Sequence, residues 1–269
     1  MRPALTLPAA ALAACSLIGA SSCVGDAEAV ALGDAGVTPL SGSYSRLLAV
    51  DDYLYAVDAT SVITFDATDR DDPVEVGRED VGLAIETIYH HAGNLFIGSR
   101  SAMYTYTISD DGTPARRGQF DYNTLNLPVE PCDPVVADAN TAYATLYTDN
   151  STEAGGCGRT REVQSLVVMD ITDLEQPTLV NTYDVATPRG LALAGDHLVV
   201  CNDDFGFTVF DVADPARAEA VAMVDDLEAW DAIVQDDVLM VVGTTELVQY
   251  DISDPTEPVE LSRLPLPRT

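Results

Sequence analysis

Between residues 43 and 269 the apolar positions fall in short runs that polar turn residues cut apart. GLALAG (190–195) is followed by a polar turn and HLVVCN (197–202), then by FTVFDVAD (207–214) and EAVAMVD (219–225). DAIVQ (231–235), VLMVVG (238–243), LVQYDIS (247–253) and PVELSRL (258–264) repeat that order. Runs of this length, rich in Val, Ile, Leu and aromatic residues and bounded by Asp, Gly and Asn, predict β-strands. No stretch keeps the 3.6-residue apolar period that a helix needs over about ten positions.

One phrase recurs through these runs. TFDATDRDDP (64–73), TYTISDDGTP (105–114), VMDITDLEQP (168–177), VFDVADPARA (209–218) and QYDISDPTEP (249–258) align on Asp66, Thr107, Asp170, Asp211 and Asp251. The anchors lie about 41 residues apart, except where the second step is lengthened by a polar stretch containing Cys132 and Cys157. Four short strands in a unit of this length make the blade of a β-propeller. The predicted fold is therefore all-β, with about five four-stranded blades and a sixth possible if a degenerate copy lies in the N-terminal tether. In each phrase the apolar half is a strand, and the Asp/Ser/Thr half turns the chain before Pro fixes its exit. The recurring carboxylates thus read as turn chemistry rather than catalysis.

The phrase resembles that of the LVIVD-repeat family of bacterial surface proteins. The resemblance spans residues 43–269 and is strongest in CDPVV (132–136), GGCG (155–158) and ATPRGLALAGDHLVVCNDDFGFTVFDVADP (186–215). It implies an exported β-propeller, often lipid-anchored, and no established reaction. Thr107 departs from the family pattern, which has Asp there, so the second turn is expected to differ.

The N-terminal segment adds a location. MRPALTLPAAALAACSLIGASSC (1–23) has one Arg, an apolar run and then small residues and cysteines, the layout of an export signal. LAAC (12–15) and ASSC (20–23) each resemble a lipoprotein box, so lipid attachment is expected at Cys15 or Cys23. Residues 24–42 are small and acidic and read as a tether to a propeller domain over 43–269. In an oxidising compartment Cys132 and Cys157 are expected to close their loop as a disulfide, free thiols being the alternative.

Charge narrows the function. The chain carries 44 acidic and 13 basic residues, a formal net charge of −31. Such a surface repels nucleic-acid phosphates and anionic lipid head groups. The chain contains no HExxH, GxSxG, GxGxxG or phosphate-binding loop. No cofactor is expected, although calcium remains open because carboxylates are abundant. His90, His91 and His197 fall at turns and do not make a metal-ligand set. In many propellers the first strand of each blade lines the central channel, and aligning the units brings Glu86, Asp133, Arg189, Trp230 and Asp231 to it. Carboxylates, one Arg and the only Trp form a candidate site for a polar ligand. The resulting expectation is a monomeric, non-enzymatic binding module at the cell surface whose partner is an envelope or extracellular protein or a polar ligand. A lactonase or other hydrolase using channel carboxylates with calcium, and a structural envelope protein, are the alternatives.

Overall fold

Each repeat folds into one antiparallel four-stranded sheet, as seen in a computed structural model that describes residues 42–82, 84–125, 134–148 and 163–267. The first blade consists of β1 (Leu47–Val50), β2 (Tyr53–Val57), β3 (Ser61–Asp66) and β4 (Val74–Asp80). The second has β5 (Ile85–His91), β6 (Asn94–Ser99), β7 (Ala102–Ile108) and β8 (Pro114–Asp121). The third has β9 (Val135–Ala137), β10 (Thr141–Tyr147), β11 (Gln164–Asp170) and β12 (Thr178–Asp184). The fourth has β13 (Leu191–Ala194), β14 (His197–Cys201), β15 (Phe207–Asp211) and β16 (Glu219–Val224). The fifth has β17 (Asp231–Gln235), β18 (Val238–Val242), β19 (Glu246–Asp251) and β20 (Val259–Pro265). Every sheet is a simple meander of consecutive strands. The protein is a β-propeller with five blades among the described residues. Cys15, Cys23, Cys132, Cys157 and Asp133 lie outside the described residues.

Local chemistry explains why the repeated phrase turns the chain. The Oδ1 atoms of Asp66, Asp170, Asp211 and Asp251 accept hydrogen bonds of 2.8–2.9 Å from the backbone N–H two residues on. The second Asp of the phrase repeats the device at Asp69, Asp173, Asp214 and Asp254. Such side chains replace backbone partners where the strand ends. Thr107 cannot do this; its hydroxyl donates to Asn94 Oδ1 at 3.0 Å, and Asp111 caps the turn through Ser109 and Thr113 instead. The third and fourth strands slip register once in every blade, one residue before the strand's last pair or two, at Thr64/Phe65, Thr105/Tyr106, Val168/Met169, Val209/Phe210 and Gln249/Tyr250. A bulge at the same place five times adds twist to each blade.

Packing follows from alternation along the strands. One face of each inner sheet meets the preceding blade and the other meets the following one. Tyr55 of blade 1 and Leu95 of blade 2 share one core; Phe96 and Ala142 join blades 2 and 3. Tyr143 and Leu198 join blades 3 and 4, and Val199 and Leu239 join blades 4 and 5. Side chains of this size each stabilise the fold by about 2 kcal/mol when fully buried. The first strands of successive blades pack side by side from β1 to β17 and surround the axis.

Candidate functional site

The mouth of the ring is built where first strands begin and second strands end. Arg46, Thr87, Pro134, Gly190 and Asp231 stand on equivalent rungs, opposite Val57, Gly98, Thr145, Cys201 and Val242. Two residues beyond those partners lie Arg100, Tyr147, Asp203 and Thr244. Residues just before each first strand therefore meet residues just after the second.

Arg189 is the centre of this arrangement. Its backbone is pinned on both sides: its N–H donates to the Cys201 carbonyl at 2.7 Å, and its carbonyl accepts from the Thr145 hydroxyl. Its Nε and Nη2 donate to one oxygen of Asp203 at 3.1 and 2.6 Å. The guanidinium lies 4.4 Å from the Tyr147 ring centroid and 5.0 Å from that of Trp230. Burial opposes its charge, but the Asp203 carboxylate and the Tyr147 hydroxyl outweigh burial and raise its pKa. This Arg is thus held as a buried, neutralised cation between two aromatic rings.

Trp230 is held from its other end as well. Its indole Nε1–H donates to Glu228 Oε1 at 2.6 Å, and Thr244 donates to the second Glu228 oxygen. Burial pushes the Glu228 carboxyl up, yet the Thr244 and Trp230 bonds bring it below its ordinary value. Trp230 remains 40% exposed.

Asp231 faces inward. Ser43 donates its hydroxyl to Asp231 Oδ1 at 2.9 Å, and the Tyr44 N–H approaches Oδ2 at 3.3 Å. The Ser43 hydroxyl also accepts from the Leu191 N–H at 2.7 Å, so residues 43–44 tie blades 4 and 5 to the segment that leads into blade 1. Burial pushes the Asp231 carboxyl up to about 6, although these donors offset part of the effect. Gly190 permits the approach: a Cβ there would sit 2.7 Å from the Asp231 Cα. Tyr44 donates its hydroxyl to that of Tyr147 at 2.8 Å, and burial raises both phenol pKa values.

Glu86 pairs with Arg100 at 2.9 Å and contributes negative potential at Tyr147. Arg189 and Trp230 are in direct contact, Asp231 joins them through Tyr44 and Tyr147, and Glu86 bears on Tyr147 through its charge. Reading first strands alone misses Tyr44, Tyr147, Asp203 and Glu228. Aligning the ends of the second strands would have found two of them, because Arg100, Tyr147, Asp203 and Thr244 share one repeat position. His90 lies in β5 beside the hairpin, where its Nε2 accepts from Gly93 N–H at 3.2 Å; burial lowers its pKa.

Asp203, Asp204 and Glu228 place carboxylate oxygens within 4.8 Å of one another. Their fit to calcium is poor. Asp203 already holds a guanidinium, which repels a second cation, and Glu228 is bonded through both oxygens. Glu86 is likewise committed to an Arg.

Meander blades in a ring, with a mouth made by strand ends, define a β-propeller. Within that class the chain carries the LVIVD repeat, whose family model matches residues 162–185 and 228–264, that is, the second half of blade 3 and all of blade 5. No curated protein matches the sequence. Among solved structures the chain is similar to the periplasmic gluconolactonase PpgL of Pseudomonas aeruginosa, with a TM-score of 0.58 and 14% identity over 79% of this chain and 67% of that one. A Lactobacillus plantarum protein matches with a TM-score of 0.60 and 10% identity over 80% and 69%. AztD of Citrobacter koseri matches with a TM-score of 0.54 and 11% identity over 82% and 60%. At these identities the likeness is one of fold. The chain spans about two thirds of the length of these proteins.

Proposed function

We propose that the protein is an exported, lipid-anchored binding module that takes an envelope protein at the Trp230 mouth and does not turn it over. The observation that carries this is the state of Trp230. The ring is braced by Arg189 and bonded to Glu228, yet it presents open surface. A rigid aromatic that loses no rotamer freedom on association is what the centre of a protein contact needs. The charged residues around it are already paired with one another, so they orient the ring rather than activate a substrate. The net charge of −31 favours a partner with a basic surface and makes its association salt-dependent. Export and the anchor rest on residues 1–23 and attach the protein through Cys15 or Cys23.

Lactone hydrolysis is the second reading, favoured by the fold shared with a gluconolactonase. One experiment separates the two. Photo-cross-linking on intact cells compares the native protein with Trp230→Ala, each checked for folding by circular dichroism. A partner captured by the native protein and lost from the variant supports the binding module. Calcium-dependent opening of sugar lactones by the purified protein, unaffected by Trp230→Ala, overturns it.

A further inference from the structure

Residues 42–46 do more than lead into blade 1. The Ser43 hydroxyl donates to Asp231 of blade 5 and accepts from the Leu191 N–H of blade 4. The Tyr44 hydroxyl meets that of Tyr147 in blade 3. The Ser45 carbonyl accepts from the Ile88 N–H at 2.9 Å, and the Arg46 guanidinium donates to the Ile85 carbonyl at 3.1 Å, both in blade 2. The Arg46 carbonyl accepts from the Val57 N–H of blade 1. Four residues, 43 to 46, span about 13 Å even when fully extended. They reach all five blades because they lie across the mouth of the channel that those blades surround.

This strap is fastened at Asp231. A Cβ on Gly42 would sit 3.0 Å from the Asp231 Cγ, as one on Gly190 would sit 2.7 Å from its Cα, so backbone closes on the carboxyl from two sides. Its donors are neutral: the Ser43 hydroxyl and the N–H groups of Tyr44 and Ala232. Such donors replace water poorly for a carboxylate and well enough for the uncharged acid, so burial under the strap favours the proton. The carboxyl is accordingly raised to about 6. When the strap lifts, water returns to the carboxyl and its ordinary value of 3.8 follows. The other titratable groups around it keep one charge state between pH 4 and 8. Burial raises the Tyr44 and Tyr147 phenols and the Cys201 thiol, which stay neutral, and Arg189, beside Gly190, stays charged.

We infer that residues 42–45 are a latch over the channel mouth, tight in acid and loosened as the pH rises toward neutrality. The direction follows from linkage. The shut form binds the Asp231 proton more tightly than the open form, so removing protons favours opening. Between pH 4.5 and 7.5 the change amounts to about 25-fold in the ratio of open to shut. Opening separates Tyr44 from Tyr147, one of the two rings that bracket Arg189, and uncovers the inner wall of the mouth. Trp230 keeps its bond to Glu228 in both forms, because neither residue touches the strap. The latch works in the same way whatever Trp230 contacts.

Hydrogen exchange of the full chain tests the latch, read by mass spectrometry from pH 4.5 to 7.5 and corrected for the chemical exchange rate at each pH. The Leu191 N–H is the reporter, because its acceptor is the Ser43 hydroxyl; the Tyr44 N–H, which faces Asp231, is a second. Their protection is expected to fall about 25-fold over this range while the amides of β11, in the core of blade 3, stay protected. In Asp231→Asn that fall is expected to vanish. Ser43→Ala leaves Asp231 in place and removes the tie, and is expected to speed exchange at Leu191 at least about tenfold at pH 4.5. Protection that stays constant or rises with pH in the native protein overturns the inference, as does a fall that Asp231→Asn retains. Native protection at Leu191 in Ser43→Ala overturns it too. So does a loss at β11 in step with Leu191, which would mean that the whole fold opens rather than the strap.

Discussion

Asp231 offers a quantitative test of the mouth, because its carboxyl is buried against the segment that closes the ring. Burial raises its pKa from the ordinary 3.8 to about 6. That difference corresponds to about 3 kcal/mol. The sign follows from proton binding. Between pH 4 and 6 the folded protein holds the proton and the unfolded chain has released it, so this residue's contribution to stability falls as pH rises. Above pH 6 the folded state bears the whole cost of a buried charge. Asp231→Asn removes the charge while keeping an acceptor for Ser43 or Tyr44. Whatever the variant loses in hydrogen bonding is a constant offset. Urea unfolding of both proteins from pH 4 to 7.5, followed by circular dichroism, isolates the remainder. General repulsion from the acidic surface and the titration of Arg189-linked groups are shared by both proteins and cancel. The native protein is expected to gain about 2.4 kcal/mol on the variant as pH falls across this range. A stability difference independent of pH would refute a buried, strained carboxyl at this position.

Two further outcomes concern the core and the turns. Tyr106 and Tyr250 bury hydroxyls that have no hydrogen-bond partner among the described residues, whereas the Tyr55 hydroxyl donates to the Gly112 carbonyl at 2.8 Å. Tyr106→Phe and Tyr250→Phe are therefore expected to raise stability by about 1 kcal/mol each in denaturant titrations, and Tyr55→Phe to lower it by about as much. Asp170 is held below its ordinary pKa by the Thr172 hydroxyl and backbone N–H, so its turn contributes stability that is lost as pH falls through the carboxylate range. Asp170→Ala is expected to lower the thermal midpoint at pH 7 and to have little effect at pH 3, which scanning calorimetry would read.

Much of this protein is local chemistry and so is written in its sequence. Strand length comes from runs such as LVVM and FTVF, and turns come from Asp and Ser/Thr side chains bonding two residues ahead. Neither needs a distant partner, and the 41-residue period then implies the blade. First-strand positions of the mouth were legible for the same reason: equivalent residues in a repeat occupy equivalent rungs. The other half of the mouth was not. Arg189 is neutralised by Asp203 and bracketed by Tyr147 and Trp230 from three different strand ends. The two ring contacts exist only when blades 3, 4 and 5 are set side by side. The same holds, more sharply, for the faces of blades 1 and 5 that no other blade covers among the described residues. Leu54, Ile63, Phe65 and Met240 have the same apolar character as their counterparts in the closed blades, so along the chain they read as core. Periodicity determines which way each side chain points from its own sheet. Whether another sheet arrives to cover it depends on the angle between successive blades summed around the ring, and that sum is a property of the folded whole.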